Sequence, residues 1–359
     1  MHLSAAPSSP RSRGIGVLLA LAACLAACGS KDEPSASTEE PSAASVTETP
    51  RTLVVYSGRS EAIVAGLFER FEAETNIDLQ LRYGDSAQIA AAILEEGERT
   101  RADVYFSQET TTLGLLAEQG RLRPLPEPIL ERVDARFRGK DGRWVGTSGR
   151  ARVLVWHTGG DLTAESLPSL EDLTTPAWRG RFGWAPENAS FQSFIAAMIE
   201  LRGEEATKDW VRRAQANAPR AFPSNTPLVA AVGAGEIDVG LTNHYYLYRL
   251  RAEHGADFAA ENHYYRNGAA ESLINLSGVG ILEGSERREV AEQFVAWLLS
   301  PAAQRYLTEQ NHEFPTVSGV ETPQQLPDIQ SLNAPRVDYG KLGDLETAVR
   351  VLREAGALL

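Results

Sequence analysis

Beyond residue 28 the sequence has no cysteine; its two, Cys24 and Cys28, both lie near the N-terminus. No internal disulfide can form in the remainder of the chain, and a protein of 359 residues has core enough not to need one. A surplus of positive charge is also missing. The formal net charge is −13, and removing the segment that carries Arg11 and Arg13 takes it from −13 to −15. Such a surface is a poor match for nucleic acid and is repelled by anionic lipid. The uncharged run from Gly14 to Ala27 is too short for a permanent transmembrane helix. Catalytic signatures are absent: no Gly-x-Ser-x-Gly, no Cys/His zinc spacing, no Gly-x4-Gly-Lys phosphate loop. Ser148-Gly149 runs straight into a strand-like stretch, so it is no nucleophile elbow, and the six histidines show no ligand spacing. Nothing in the sequence argues for an enzyme.

What is present begins with a basic n-region and a short apolar h-region ending in "LAACLAACGS". Its repeated Leu-Ala-Ala-Cys resembles the lipobox of bacterial lipoproteins. That resemblance implies a signal peptide over residues 1–27 and acylation of Cys28, since Gly29 and Ser30 start a polar stretch; Cys24 is the alternative site. An ordinary cleaved secretion signal is the plainer reading. Residues 28–50, rich in Ser, Pro, Glu and Thr, cannot bury a core and are expected to be a flexible tether. The expected location is the periplasmic or cell-surface face, with a lipid anchor as the only membrane contact.

About 310 residues remain after the tether, a length that favours two domains. "TLVVYS" (52–57), a helix opened by Ser60, "IDLQLRY" (77–83), a helix over 86–99 and "ADVYFS" (102–107) predict a β-α-β-α-β run and a parallel sheet. "RWVGTSGRARVLVWHT" (143–158) reads as a long extended segment leaving the first lobe. Helices are expected at 189–201, 204–217, 286–299, 301–310 and 343–357, with a helix-strand pair in "NTPLVAAVGAGEIDVGLT". The pattern is an α/β fold of two lobes joined by crossover strands, a two-lobed periplasmic binding protein of class II type with its ligand cleft between the lobes. The expected lobes are 51–150 with 276–325, and 151–275 with 326–359.

Asn243-His244-Tyr245-Tyr246 recurs as Asn262-His263-Tyr264-Tyr265. The first copy follows the strand "IDVGLT" and starts a helical pattern, with Thr242 or Asn243 placed to cap. On a first helical turn two adjacent tyrosines lie about 100° apart and can converge, where the helix dipole favours negative charge. Two phenolates at neutral pH need a strong cation, and ferric iron is the hard trivalent ion that suits them. Aromatic packing is the other reading of such a pair. The second copy ends in an Asn-Gly turn signal and reads as strand packing. Arg150 and Arg152, two apart on an extended segment, share a face, as an anion site or as hinge ion pairs. "PENASF" precedes a helix, so Asn188, Ala189 and Ser190 offer backbone N–H groups to an anion.

"VVYSGRSE", "RADVYFSQE", "RWVGTSGRARVLV", "GEIDVGLTNHYYLYRL" and "NLSGVGIL" stand in the order and spacing of the bacterial periplasmic ferric-ion-binding proteins, which the chain resembles from about residue 52 onward. The resemblance implies Fe(III) ligation by Tyr245 and Tyr246, a synergistic carbonate or similar anion held by Arg59, and anion contacts at Asn225 and Asn243. It also implies delivery to the permease of an ABC iron importer by a monomeric protein. Relatives place a further histidine, glutamate or tyrosine where this chain has Ser60, Gln108 and Trp156. Tyr56 and Tyr83, at strand ends of the first lobe, are therefore candidates for a further ligand, with packing as their other reading. An organic-anion or iron-chelate binding protein is the nearest rival function; an exported enzyme or structural lipoprotein on the same fold is the rival of another class.

Overall fold

In the computed structural model the described residues are 51–358, apart from Ala256, residues 323–325, Lys341 and residues 343–344. The expected signal peptide, tether and acylation site at Cys28 or Cys24 lie outside them. The chain opens with β1 (Arg51–Ser57), α1 (Glu61–Thr75), β2 (Ile77–Tyr83), α2 (Ser86–Glu96) and β3 (Val104–Ser107). α1 forms because Val64, Leu67, Phe68 and Phe71 recur on one buried face, and it stops at Asn76, whose left-handed backbone returns its N–H to Glu72. Asp85 caps α2 by accepting from the Ala87 N–H, and a short 3-10 turn at Gly97–Arg99 replaces its expected last turn.

Next come α3 (Thr110–Glu118), α4 (Glu127–Leu130) and β4 (Trp144–His157). The second lobe adds β5 (Phe182–Trp184), α5 (Ala189–Arg202), α6 (Glu204–Ala216), β6 (Arg220–Ala221), α7 (Asn225–Gly233), β7 (Val239–Asn243), α8 (Tyr245–His254) and β8 (Ala260–His263). The chain then returns through β9 (Ile274–Ile281), α9 (Arg288–Leu298), α10 (Pro301–Asn311), β10 (Phe314–Pro315) and α11 (Leu345–Glu354).

Strand order is β2-β1-β3-β9-β4-β7-β5-β6, with β10 and β8 also paired to β4. β1 pairs with β2 and β3 in parallel, as the βαβ pattern requires, and β9 adds antiparallel to β3. The decisive strand is β4. From Trp144 to Ala151 it pairs with β9, and from Arg152 to Trp156 with β7, so one strand belongs to both lobes and changes partners between Ala151 and Arg152. The rows that face the core are nearly all apolar, β9 being buried along its whole length.

α11 packs on α5 and α6, fixed by ion pairs of Arg350 with Glu204 (2.9 Å) and Lys208 with Glu354 (3.0 Å). Just before it, Gly340 lies against Gly114 of α3: a Cβ at 114 would come within 2.3 Å of the Gly340 Cα. Gly114→Ala is expected to destabilise the fold by about 1–3 kcal/mol through overpacking. The check is a lower urea midpoint at unchanged slope, and an unchanged midpoint would show that the Gly340 segment gives way freely.

Candidate metal and anion site

β7 is buried throughout and delivers Asn243 opposite Arg152 of β4. The chain turns at His244, which is 0% exposed. Its Nδ1 accepts the Ala151 N–H (3.1 Å), so the ring proton sits on Nε2, which donates to the His312 carbonyl (2.5 Å). Burial pulls this imidazole down to about 4, and it stays neutral. His244 thus ties the start of α8 to the crossover strand and to the end of α10. Neither Thr242 nor Asn243 caps α8, contrary to the sequence expectation: no side chain takes up its first N–H groups.

On that uncapped first turn the rings of Tyr245 and Tyr246 stack, centroids 4.4 Å apart and planes at 29°. Convergence of the two phenols, argued from helical spacing, is realised. Burial pushes the Tyr245 phenol well above its ordinary value and Tyr246 adds to this, while Arg150 and Arg249 oppose it. Arg249 also covers the Tyr245 ring at 4.6 Å.

Both β4 arginines face the pair electrostatically. Burial would lower Arg150, but Glu109, Glu313 and Tyr245 outweigh it and hold it raised. Arg150 reaches toward the first lobe, donating to the Gln108 carbonyl (2.6 Å) and the Glu109 carboxylate (3.3 Å). Arg152 turns to the second lobe. Its Nη2 donates to the Leu241 carbonyl (2.9 Å) and its guanidinium lies over Phe191 and Phe194 of α5. Nε and Nη1 of Arg152 are buried with no partner. Burial lowers this guanidinium, and Tyr246 and Tyr245 are the groups that oppose it.

The helix-start residues gather beside it. Asn188 caps α5 through the Ser190 N–H (3.0 Å), next to Ala189, and Asn225 at the start of α7 donates to Asn188 Oδ1 and Ser190 Oγ, both at 3.2 Å. Asn225 Oδ1, both polar side-chain atoms of Asn243 and Thr242 Oγ1 are buried without partners. Each such orphan costs about 1–3 kcal/mol, so a cluster of them beside an unpaired guanidinium marks a place that a polar ligand completes.

Arg59 is engaged differently from the expectation of a free anion holder. It is fully buried; Nη2 donates to both Glu313 oxygens at 2.9 Å and Nη1 to Ser148 Oγ at 3.1 Å, which leaves only Nε unpartnered. Ser148 also donates to Glu313 (2.7 Å). Burial alone would raise Glu313, but Arg59 and Arg150 with these hydrogen bonds hold it below the usual carboxylate range. Sequence reasoning passed over Glu313, which stands in a helix-end "NHEFP" without any motif.

Tyr56 parts from the ligand expectation: it donates to Glu96 (3.2 Å) beneath the Arg82 guanidinium and is taken up by its own lobe. The Tyr83 phenol is pushed up by burial and by Glu61, Glu72 and Glu69, and its hydroxyl is buried without a partner. In the second tyrosine copy, Tyr265 donates to the Pro168 carbonyl (2.8 Å) and the Tyr264 ring packs near His244 and Phe314. That is packing, as expected, but not on a strand: β8 ends at His263, before both tyrosines. No three His, Cys, Asp or Glu side chains among the described residues gather as a metal cage.

Two α/β lobes that share a crossover strand, with helix starts and a guanidinium without an ion pair, Arg152, beside it, define a two-lobed solute-binding protein. Residues 53–310 match the profile of the bacterial extracellular solute-binding proteins. The major ferric iron-binding protein of Neisseria meningitidis serogroup A is 31% identical over 311 residues, covering 85% of this chain and 92% of that one. Iron uptake protein A1 of Synechocystis is 32% identical over 325 residues, with 87% and 90% covered. Among solved structures, iron-bound HitA from Pseudomonas aeruginosa superposes with a TM-score of 0.75 at 33% identity, covering 86% of this chain and all (100%) of that one. A Trichodesmium protein in complex with iron and citrate gives 0.76 at 27% identity, covering 85% and 99%. The chain belongs to the bacterial extracellular solute-binding proteins, in the group of periplasmic ferric-iron-binding proteins, and is a binding protein rather than an enzyme.

Proposed function

We propose that this chain captures Fe(III) outside the cytoplasm and delivers it to the permease of an ABC importer. Tyr245 and Tyr246 bind the ion as phenolates; carbonate or a similar synergistic anion sits against Arg152, Arg150, Asn225, Asn243 and the Asn188–Ala189–Ser190 helix start. Arg59 acts at one remove, by fixing Ser148 and Glu313 beside Arg150. The lobes, 51–150 with 276–325 and 151–275 with 326–359, close on the ion. The protein works as a monomer, with Cys28, or Cys24, acylated to hold it at the membrane. The observation that carries this reading is the stacked tyrosine pair on an uncapped helix turn, faced by two buried arginines.

The test is a titration of iron-free protein with Fe(III) in bicarbonate buffer. A broad visible phenolate-to-iron band and a higher melting temperature are expected, since a ligand at thousandfold excess over its dissociation constant adds about 4 kcal/mol of stability. A second reading is favoured by the two unpartnered nitrogens of Arg152 and by Trp156 in place of a third tyrosine: an organic anion, or an iron chelate, is the cargo. Stabilisation by an organic anion alone with no visible band would establish the anion; a band only when iron arrives as its chelate would establish the chelate.

A further inference from the structure

Two phenolates leave a ferric ion short of the about six oxygen donors of octahedral coordination. The first lobe is expected to supply one, yet its histidine and glutamate positions hold Ser60 and Gln108. We propose that Glu109, one residue further along, is the first lobe's ligand to the ion, held in reserve by Arg150 until the lobes close. This rests on the ferric-iron reading above and names a donor that reading lacks.

Three observations carry it. Among the described residues, the carboxylates that bear on Arg150 are Glu109 and Glu313. Glu313 is consumed by Arg59 and Ser148, whereas Glu109 has one side-chain partner, Arg150, at 3.3 Å, and its side chain remains 35% exposed. The backbone of Glu109 is anchored: its carbonyl accepts from Ser107 Oγ (2.8 Å) and Thr112 Oγ1 (2.9 Å), where β3 passes into α3. The carboxylate therefore moves on a fixed pivot. The partner it would leave also serves the site, because Arg150 is within electrostatic reach of Tyr245. Gln108, whose Oε1 is buried without a partner, offers a neutral amide, a weaker donor for a hard trivalent ion than a carboxylate.

The experiment compares wild type, Glu109→Gln and Gln108→Leu, each titrated with Fe(III) in bicarbonate and then challenged with citrate. Glu109→Gln is expected to keep a visible band, displaced in wavelength, and to lose iron to citrate at a concentration at least about tenfold lower, as even outer-shell changes at metal sites do. Gln108→Leu is expected to match wild type, and melting of the iron-free variants checks that both fold. A Glu109→Gln band and citrate curve identical to wild type, or the displacement appearing in Gln108→Leu instead, would overturn the proposal. Absence of any band in wild type would overturn the ferric-iron reading and this one together.

Discussion

Tyr246→Phe is expected to weaken Fe(III) capture by more than about a hundredfold, since it removes one of the two phenolate ligands, where even outer-shell losses at metal sites cost 10–100-fold. The half-buried ring keeps its stacking on Tyr245, so the iron-free variant should melt close to wild type. The same change alters the proton count. Burial holds the Tyr245 phenol above its ordinary value in the iron-free protein. Binding must expel both protons, so affinity falls about a hundredfold per unit of acidification. A weakly buffered titration should release two protons per iron from these groups in wild type and one in Tyr246→Phe. An unmoved visible band in that variant would place ligation elsewhere.

Glu313→Ala is the second large effect. Removing one partner of a buried ion pair costs about 3–5 kcal/mol, because the other is left charged in the dry interior. Here the stranded group is Arg59, fully buried, with Ser148 as its remaining side-chain partner. The folded-state value of Glu313 is held below that of the unfolded chain. Its stabilising contribution is present above the unfolded carboxylate pKa of about 4.3 and disappears as pH falls through the lower folded value. The variant should therefore unfold at lower urea concentration at pH 7 and show a shallower acid-induced loss below pH 4. Equal stability of Glu313→Ala and wild type at pH 7 would remove the pair from any structural role. Replacing both Arg59 and Glu313 with methionine should cost less than the single change, as matched apolar pairs often do.

The order of helices and strands was legible because it is written in local periodicity, as in the 3–4 spacing of Val64, Leu67, Phe68 and Phe71. α3 was not, since its opening Thr-Thr-Thr has no apolar stripe and it is held in place by Leu113 and Leu116 packing on β9. At the site, the convergence of Tyr245 and Tyr246 followed from one strand end and one helix start. The company of Arg59 did not follow. Its partner Glu313 is 254 positions away, and no spacing rule reaches that far. Tyr56 and Tyr83 sit at strand ends as expected, but a strand end does not reveal which face a side chain takes: Glu96 claims Tyr56, and the Tyr83 hydroxyl is buried without a partner. Likewise Glu109 carries no signal of its own until Arg150 is seen beside it.

The His244 ring is pinned at one nitrogen by the crossover strand and at the other by the turn after α10, and the residue that follows it in sequence is Tyr245. On the proposed closure of the lobes, the phenols would thus be held to β4 before any ion arrives, and the ion would meet them in the open protein ahead of the first lobe's groups. On departure the sequence would run backwards.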